Sequence, residues 1–199
     1  MNSFNLVSYL SSNIDIDENQ IKVLVENCKS KTVVKGNYLL QEGEKCKHTF
    51  FVEQGLLRQY SIDSKGKEHI LQFASEGWFV SDRESVYFNQ AANYYIQALE
   101  TSKVLFLDEQ FILELSKTSS KFVEFNNRLL HNHIRNLQKR INLLLSATAE
   151  ERYLDFISVY PDVLMRVPQS MVASYLGIAP ESLSRVRKDM AKKHFTSSS

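Results

Sequence analysis

The sequence predicts an α+β chain in which a small antiparallel barrel or jelly roll is followed by one long helix and a C-terminal helix-turn-helix. Three observations predict it. Between residues 32 and 108, short apolar runs alternate with turn residues. From about 119 to 146 the apolar period lengthens from two to about three and a half. The segment 167–193 places its small, apolar and glycine residues as two short helices joined by a tight turn require.

The chain has 199 residues, enough for two small domains or one large one, each with its own core. Its hydrophobic fraction, 43%, is that of a globular protein, and no uninterrupted apolar run is long enough to span a bilayer. The N-terminal stretch M-N-S-F-N-L-V-S-Y-L has neither a basic region nor a long apolar core, so no secretory signal is read there. A cytoplasmic protein without a membrane partner is the expectation. A net charge of +1 sets up no global basic field. Cys28 and Cys46 have no C-x-x-C or histidine partner nearby, which argues against a disulfide framework, a zinc site or a cysteine-ligated cluster.

Taken in order, residues 17–28 look helical, with Ile21, Leu24 and Val25 on one side. Strands are expected at 38–41, 48–53, 56–62, 68–74, 94–100 and 103–107, punctuated by Gly36-Asn37, Gly43, Gly55, Ser64-Lys65-Gly66 and Gly77. Many short strands at this spacing imply a closed or double-sheet β architecture. Beyond them Val123, Leu130, Leu137 and Leu144 recur every seven residues, with Ile134 and Ile141 beside them. One helix over 119–146 with such a stripe needs a partner along its length. A second copy is the simplest partner, with Val123, Leu130, Leu137, Ile141 and Leu144 as dimerisation contacts; packing on its own barrel is the alternative. A further helix at about 148–160 leads through Pro161-Asp162 into the helix-turn-helix. The domain boundaries expected are 1–118, 119–146 and 147–199.

Within 167–193, Ala173 falls where two helices approach closely and Gly177 where the turn needs positive φ. Val172, Leu176, Ile178, Leu183 and Val186 are apolar at the spacings that pin two short helices against a third. Pro180 suits the first turn of the second helix, because its missing N–H would be unpaired there; Ala179 before it is a poor cap. With Leu183, Val186 and Met190 inward, Glu181, Ser184, Arg185, Lys188 and Lys192 share the opposite face. Arg185 offers a fork to guanine, Glu181 an acceptor for cytosine, and Ser184 either. Lys188 and Lys192 suit phosphates, and Gln169, Ser170 and Ser182 complete the expected contact set with double-stranded DNA. From Arg166 to His194 six Lys or Arg face two acids, a local excess of four.

E-H-I-L-Q-F-A-S-E-G-W-F-V at 68–80 and P-E-S-L-S-R at 180–185 carry a more specific likeness. The first looks like the middle of a cyclic-nucleotide-binding β-roll; the second is similar to an E-x-x-S-R recognition-helix signature. Together with the order of elements they resemble the CRP/FNR superfamily of bacterial transcription regulators over nearly the whole chain. The resemblance implies an N-terminal β-roll sensor, a long dimerisation helix and a C-terminal winged-type helix-turn-helix domain. It implies a homodimer on a two-fold symmetric operator, with RNA polymerase as a further partner. Glu181, Ser184 and Arg185 become the base-reading trio, and a T-T-G-A half-site the first to try. Members that bind cyclic AMP carry a glutamate for the ribose and an Arg-Ser pair for the phosphate. This sequence has Asp82 near the first position and Ala92-Asn93 at the second, with Arg83 nearby. The expected effector pocket is therefore Asp82, Arg83, Ala92 and Asn93. Cyclic AMP is not expected there, since a buried phosphate without a cation loses its charge compensation. The effector is left unidentified, and neither an iron–sulfur cluster nor the C-terminal hairpin of some members is expected.

No enzyme is expected. A cupin-type barrel needs histidines and a carboxylate converging on one metal, whereas His48 and His69 lack an H-x-H neighbour. His131 and His133 point to different faces of the long helix, and six scattered glycines build no phosphate loop. Tyr87, Phe88, Tyr94 and Tyr95 read either as barrel core or as the lining of a pocket for a flat effector. The alternative class is a signalling or interaction module with a β-roll ligand pocket and no affinity for DNA.

Overall fold

A computed structural model describes the backbone of residues 4–196, with side chains as far as Lys193. The chain runs α1 (Leu6–Ser11), α2 (Glu18–Glu26), β1 (Lys29–Val33), β2 (Tyr38–Leu40), β3 (Thr49–Gln54), β4 (Leu57–Ile62), β5 (Glu68–Ala74) and β6 (Phe79–Val80). It continues through α3 (Arg83–Phe88), β7 (Tyr95–Ala98), β8 (Ser102–Leu107), α4 (Glu109–Thr118), α5 (Ser120–Ser146) and α6 (Ala149–Val159). A 3₁₀ turn (Val163–Met165) then leads to α7 (Gln169–Leu176) and α8 (Pro180–Thr196).

The strands form two antiparallel four-stranded sheets, ordered β1-β8-β3-β6 and β2-β7-β4-β5. Between them Leu40, Phe50, Val52, Leu57, Ile96 and Val104 make a dry interior. Tight turns set the registers. At the β4–β5 hairpin the Asp63 carboxylate accepts from the amides of Lys65 and Lys67 at 2.8 and 3.0 Å, and Gly66 takes the positive φ. This is the expected roll. Phe51, Leu105 and Leu107 belong to a second core, shared with Leu6 and Leu10 of α1, Ile21 of α2, Phe111 and Leu115 of α4, and Phe122 and Phe125 of α5.

Some elements depart from the expectation. β1 is an edge strand whose first four residues are exposed, so its K-S-K-T sequence carries no alternation to read. β6 has two residues. α1, α3 and α4 start at side-chain caps, Asn5, Asp82 and Asp108, which accept from the amides of Val7, Ser85 and Phe111. Among the described residues the C-terminal unit contains helices only, so no wing strand accompanies the helix-turn-helix there.

The long helix spans nearly the range expected. One side, through Phe122, Phe125 and Leu129, packs on its own roll. The rest of the stripe does not: Ile134, Leu137 and Ile141 are 50, 46 and 57% exposed, and Val123 and Leu144 are exposed too. Its own barrel therefore buries apolar side chains only from the first third of the helix and leaves these stripe residues open.

Candidate nucleic-acid interface and effector cavity

α7 and α8 meet through small and branched side chains. Ala173 and Leu183 are fully buried, with Val172 and Leu176 beside them. Gly177 has φ 66°, and the amide of Ile178 donates to the carbonyl of Ala173 at 3.0 Å, closing the end of α7. The positive φ favours a glycine at Gly177, and a Cβ there would also press on the Leu144 side chain of α5 at 3.2 Å. With Leu183 held inward, Glu181, Ser184, Arg185, Lys188 and Lys192 lie along the outer side of α8, all exposed. That row covers ~16 Å at the rise of an α-helix, long enough to follow a major groove. Gln169, Ser170 and Ser182 are exposed next to it.

The helices α6 to α8, called the reading unit after the row expected to face DNA, are not tethered loosely; they are packed on the roll. Phe73 of β5 joins Phe156 of α6, Tyr160 just after α6 and Tyr175 of α7 in one aromatic cluster, with ring centroids 5.3 to 6.1 Å apart. Tyr160 also stacks on Trp78 at 5.2 Å. Around this cluster polar side chains bind backbone across the junction. The Ser174 hydroxyl accepts from the Ile70 amide at 3.1 Å and donates to the Glu68 carbonyl at 2.9 Å. The Arg140 guanidinium lies 3.8 Å over the Tyr175 ring and donates to the carbonyls of Ile70, Leu71 and Tyr175.

Arg166 is the clearest residue that sequence reasoning misplaced. Counted above as part of a basic surface, it instead reaches back between Glu76 and Glu100, with two bonds to Glu76 of 3.0 and 3.1 Å. It no longer contributes to the cationic excess around α8, which falls from four to three. Burial raises the Glu76 carboxyl, but bonds from Arg166 and the Gly55 amide outweigh it and hold the group below its ordinary 4.5. A depressed carboxylate stabilises the folded form above that ordinary value, and the contribution disappears as pH falls through the lowered one. Arg166→Ala should therefore loosen the junction at neutral pH, seen as faster hydrogen exchange in β5 and α7. The wild type should show the same loosening only on acidification below pH 4.5; equal protection in the two proteins at pH 7 would contradict this.

A cavity of about 380 Å³ lies between the roll and α5, with walls from α1, α3, α4 and β6 as well. Of the expected effector residues, Arg83 lines it, with its guanidinium 5.0 Å over the Tyr87 ring. Asp82 does not. It is fully buried, and its two carboxylate oxygens accept from the amides of Ser85 and Asn93 at 3.0 and 2.9 Å. Ala92 packs in the roll interior, and the Asn93 side chain is exposed and bonded to Glu84. The four residues are neighbours around one turn, but three of them build that turn. The cavity's other walls, among them Tyr9, Phe111 and Phe125, come from helices outside the strand region and were not anticipated. Trp78 lines the cavity and also stacks on Tyr160, so one side chain is shared by the cavity wall and the reading unit.

Residues 30–119 match the family described as cyclic nucleotide-binding domain. The chain is 28% identical over 169 residues to Electron transport regulator A of Shewanella oneidensis, covering 79% of this chain and 67% of that protein. It is also 28% identical over 171 residues to Transcriptional activator protein anr of Pseudomonas aeruginosa, covering 79% and 68%. The chain thus spans about two thirds of the length of these relatives. Among solved structures it is similar to FixK2 from Bradyrhizobium japonicum, with a TM-score of 0.71 at 16% identity, covering 84% of this chain and 86% of that one.

Proposed function

Because the chain belongs to the CRP/FNR superfamily of transcription regulators, we propose that it reads duplex DNA as a homodimer whose two α8 helices occupy successive major grooves of a two-fold symmetric operator. The observation that carries this reading is the exposed row from Glu181 to Lys192, backed by the fully buried Leu183. In that row Arg185, Glu181 and Ser184 address base edges, while Lys188, Lys192 and the start of α7 at Gln169 and Ser170 address phosphates, with Ser182 alongside. The uncovered α5 side chains Val123, Leu137, Ile141 and Leu144 support the dimer, with the half-buried Leu130, which also lines the cavity, in register with them. On this reading the protein works in the cytoplasm, without catalysis of its own, and RNA polymerase is its further partner.

A ligand in the cavity would act by moving its walls. Trp78 then displaces Tyr160, and α5 shifts through Asn136, which lines the cavity one turn before Arg140. Both routes end on the unit that aims α8. Half-sites must lie about one DNA turn, roughly 34 Å, apart, so a small rotation changes the fit.

Selection of bound sequences from random duplex DNA tests the reading directly. The expected result is an inverted repeat and an affinity that falls steeply with salt, because phosphate contacts release counterions. Arg185→Ala should cost about 1–3 kcal/mol on the selected operator with unchanged thermal stability. Selection of no sequence, or salt-independent binding, would count against DNA as the partner.

A further inference from the structure

The cavity itself says what class of molecule it takes. This inference rests on the reading of the roll as a sensor. We propose that the cavity between the roll and α5 binds a small organic acid with an apolar body, its single carboxylate held at Arg83, and that it does not bind a cyclic nucleotide.

The walls are aromatic and aliphatic: Tyr9, Trp78, Phe79, Phe111, Phe122 and Phe125 enclose the body of the space. A volume of about 380 Å³ is at the small end for ligand pockets. No Asp or Glu lines it, and Arg83 is the one lining residue with a permanent charge. Among the described residues Arg83 is joined to no carboxylate; its contact is the ring of Tyr87. A guanidinium at the edge of an apolar space, without a counter-ion of its own, complements a carboxylate, which it can hold by two parallel bonds. Facing it from α5 are His133, Asn132 and Asn136. Burial, and then Arg83 itself, lower the His133 imidazole below its ordinary value, so it stands beside the anion as a neutral donor.

Polar groups elsewhere in the cavity are engaged in the protein. Gln59 and Gln72 donate to the carbonyls of Ser81 and Phe79 at 3.1 and 2.9 Å, holding β6 in place. The turn where a nucleotide's ribose and phosphate would be gripped is closed by its own groups, since Asp82 binds two amides and Ala92 is packed in the interior. One cation suits one negative charge; the imidazole and amides facing it from α5 add neutral donors but no second cation.

Trp78 is the chain's one tryptophan and lies on the cavity wall, so its fluorescence reports occupancy. The full chain is titrated with 4-phenylbutyrate, with the uncharged 4-phenylbutanamide and with cyclic AMP, by fluorescence and calorimetry. The acid should saturate, the amide should bind at least tenfold more weakly, and cyclic AMP should give no signal. Arg83→Gln, a change at an exposed position, should bring the acid to the level of the amide and leave the amide and the melting temperature unchanged. Equal affinities for acid and amide, an unaffected acid in Arg83→Gln, tighter binding of cyclic AMP, or no binding of any of the three would overturn the proposal. Operator binding measured on the same preparations separates the two readings. Loss of acid binding with operator binding intact sinks the ligand class alone, and acid binding without operator binding sinks DNA recognition alone.

Discussion

Aspartate at both Leu137 and Ile141 is expected to convert the protein to monomers and to weaken operator binding by about 10²- to 10⁴-fold, the advantage that linking two recognition units confers. Both side chains are about half exposed in the single subunit, so the substitutions place charge in water when the chain is alone and bury it only on association. Burying uncompensated charge costs several kcal/mol per group, more than a helix pair of this size can offset. Folding should be unchanged because Phe122, Phe125 and Leu129 still anchor α5 on the roll. Sedimentation and a mobility shift on the selected operator would read the effect. Dimers of the double variant, or monomers with undiminished affinity, would show that the stripe is not the interface.

The second large effect is expected at Phe156. Its ring is fully buried and touches Phe73, Tyr160 and Tyr175, which belong to the roll and to both sides of the reading unit. Phe156→Ala should cost about 3–5 kcal/mol, the sum of lost burial and the cavity left behind, because a cluster with fixed partners on three elements collapses poorly. Chemical denaturation followed by circular dichroism measures it. Trp78, stacked on Tyr160, should report the loosened junction under native conditions as a changed emission. A loss below about 1 kcal/mol would mean that the junction repacks, and that the roll does not hold the reading unit through this cluster.

Much of this was legible because local constraints are strong. Gly177 and Ala173 are demanded by the turn and by helix approach, and the apolar spacing of Val172, Leu176 and Leu183 leaves one face of α8 for solvent. α4 was legible too, though not read: Asp108 caps it, and Phe111 and Leu115, four residues apart, are its buried pair. β1 was not, since an exposed edge strand has no alternation to show.

The site residues divide along the same line. An outward row on one helix follows from periodicity, so the exposure of Glu181, Ser184, Arg185, Lys188 and Lys192 came from the sequence. Whether a charged or polar residue is engaged by another element depends on pairings distant in the chain. Arg166 and Glu76 are ninety positions apart, and Asp82 meets Asn93 only because a turn folds back. No spacing rule reports that Arg166 is an internal clamp, that Asp82 is spent on the amides of its own turn, or that Trp78 is shared by the cavity and the reading unit. What the sequence alone determined was the order of roll, long helix and helix-turn-helix and the face that α8 turns to water, because these follow from backbone preference and short periods. The tertiary structure decided which cation is free, where the cavity lies and how the reading unit is joined to it, because those depend on burial and on charge pairing between segments the chain brings together only when folded.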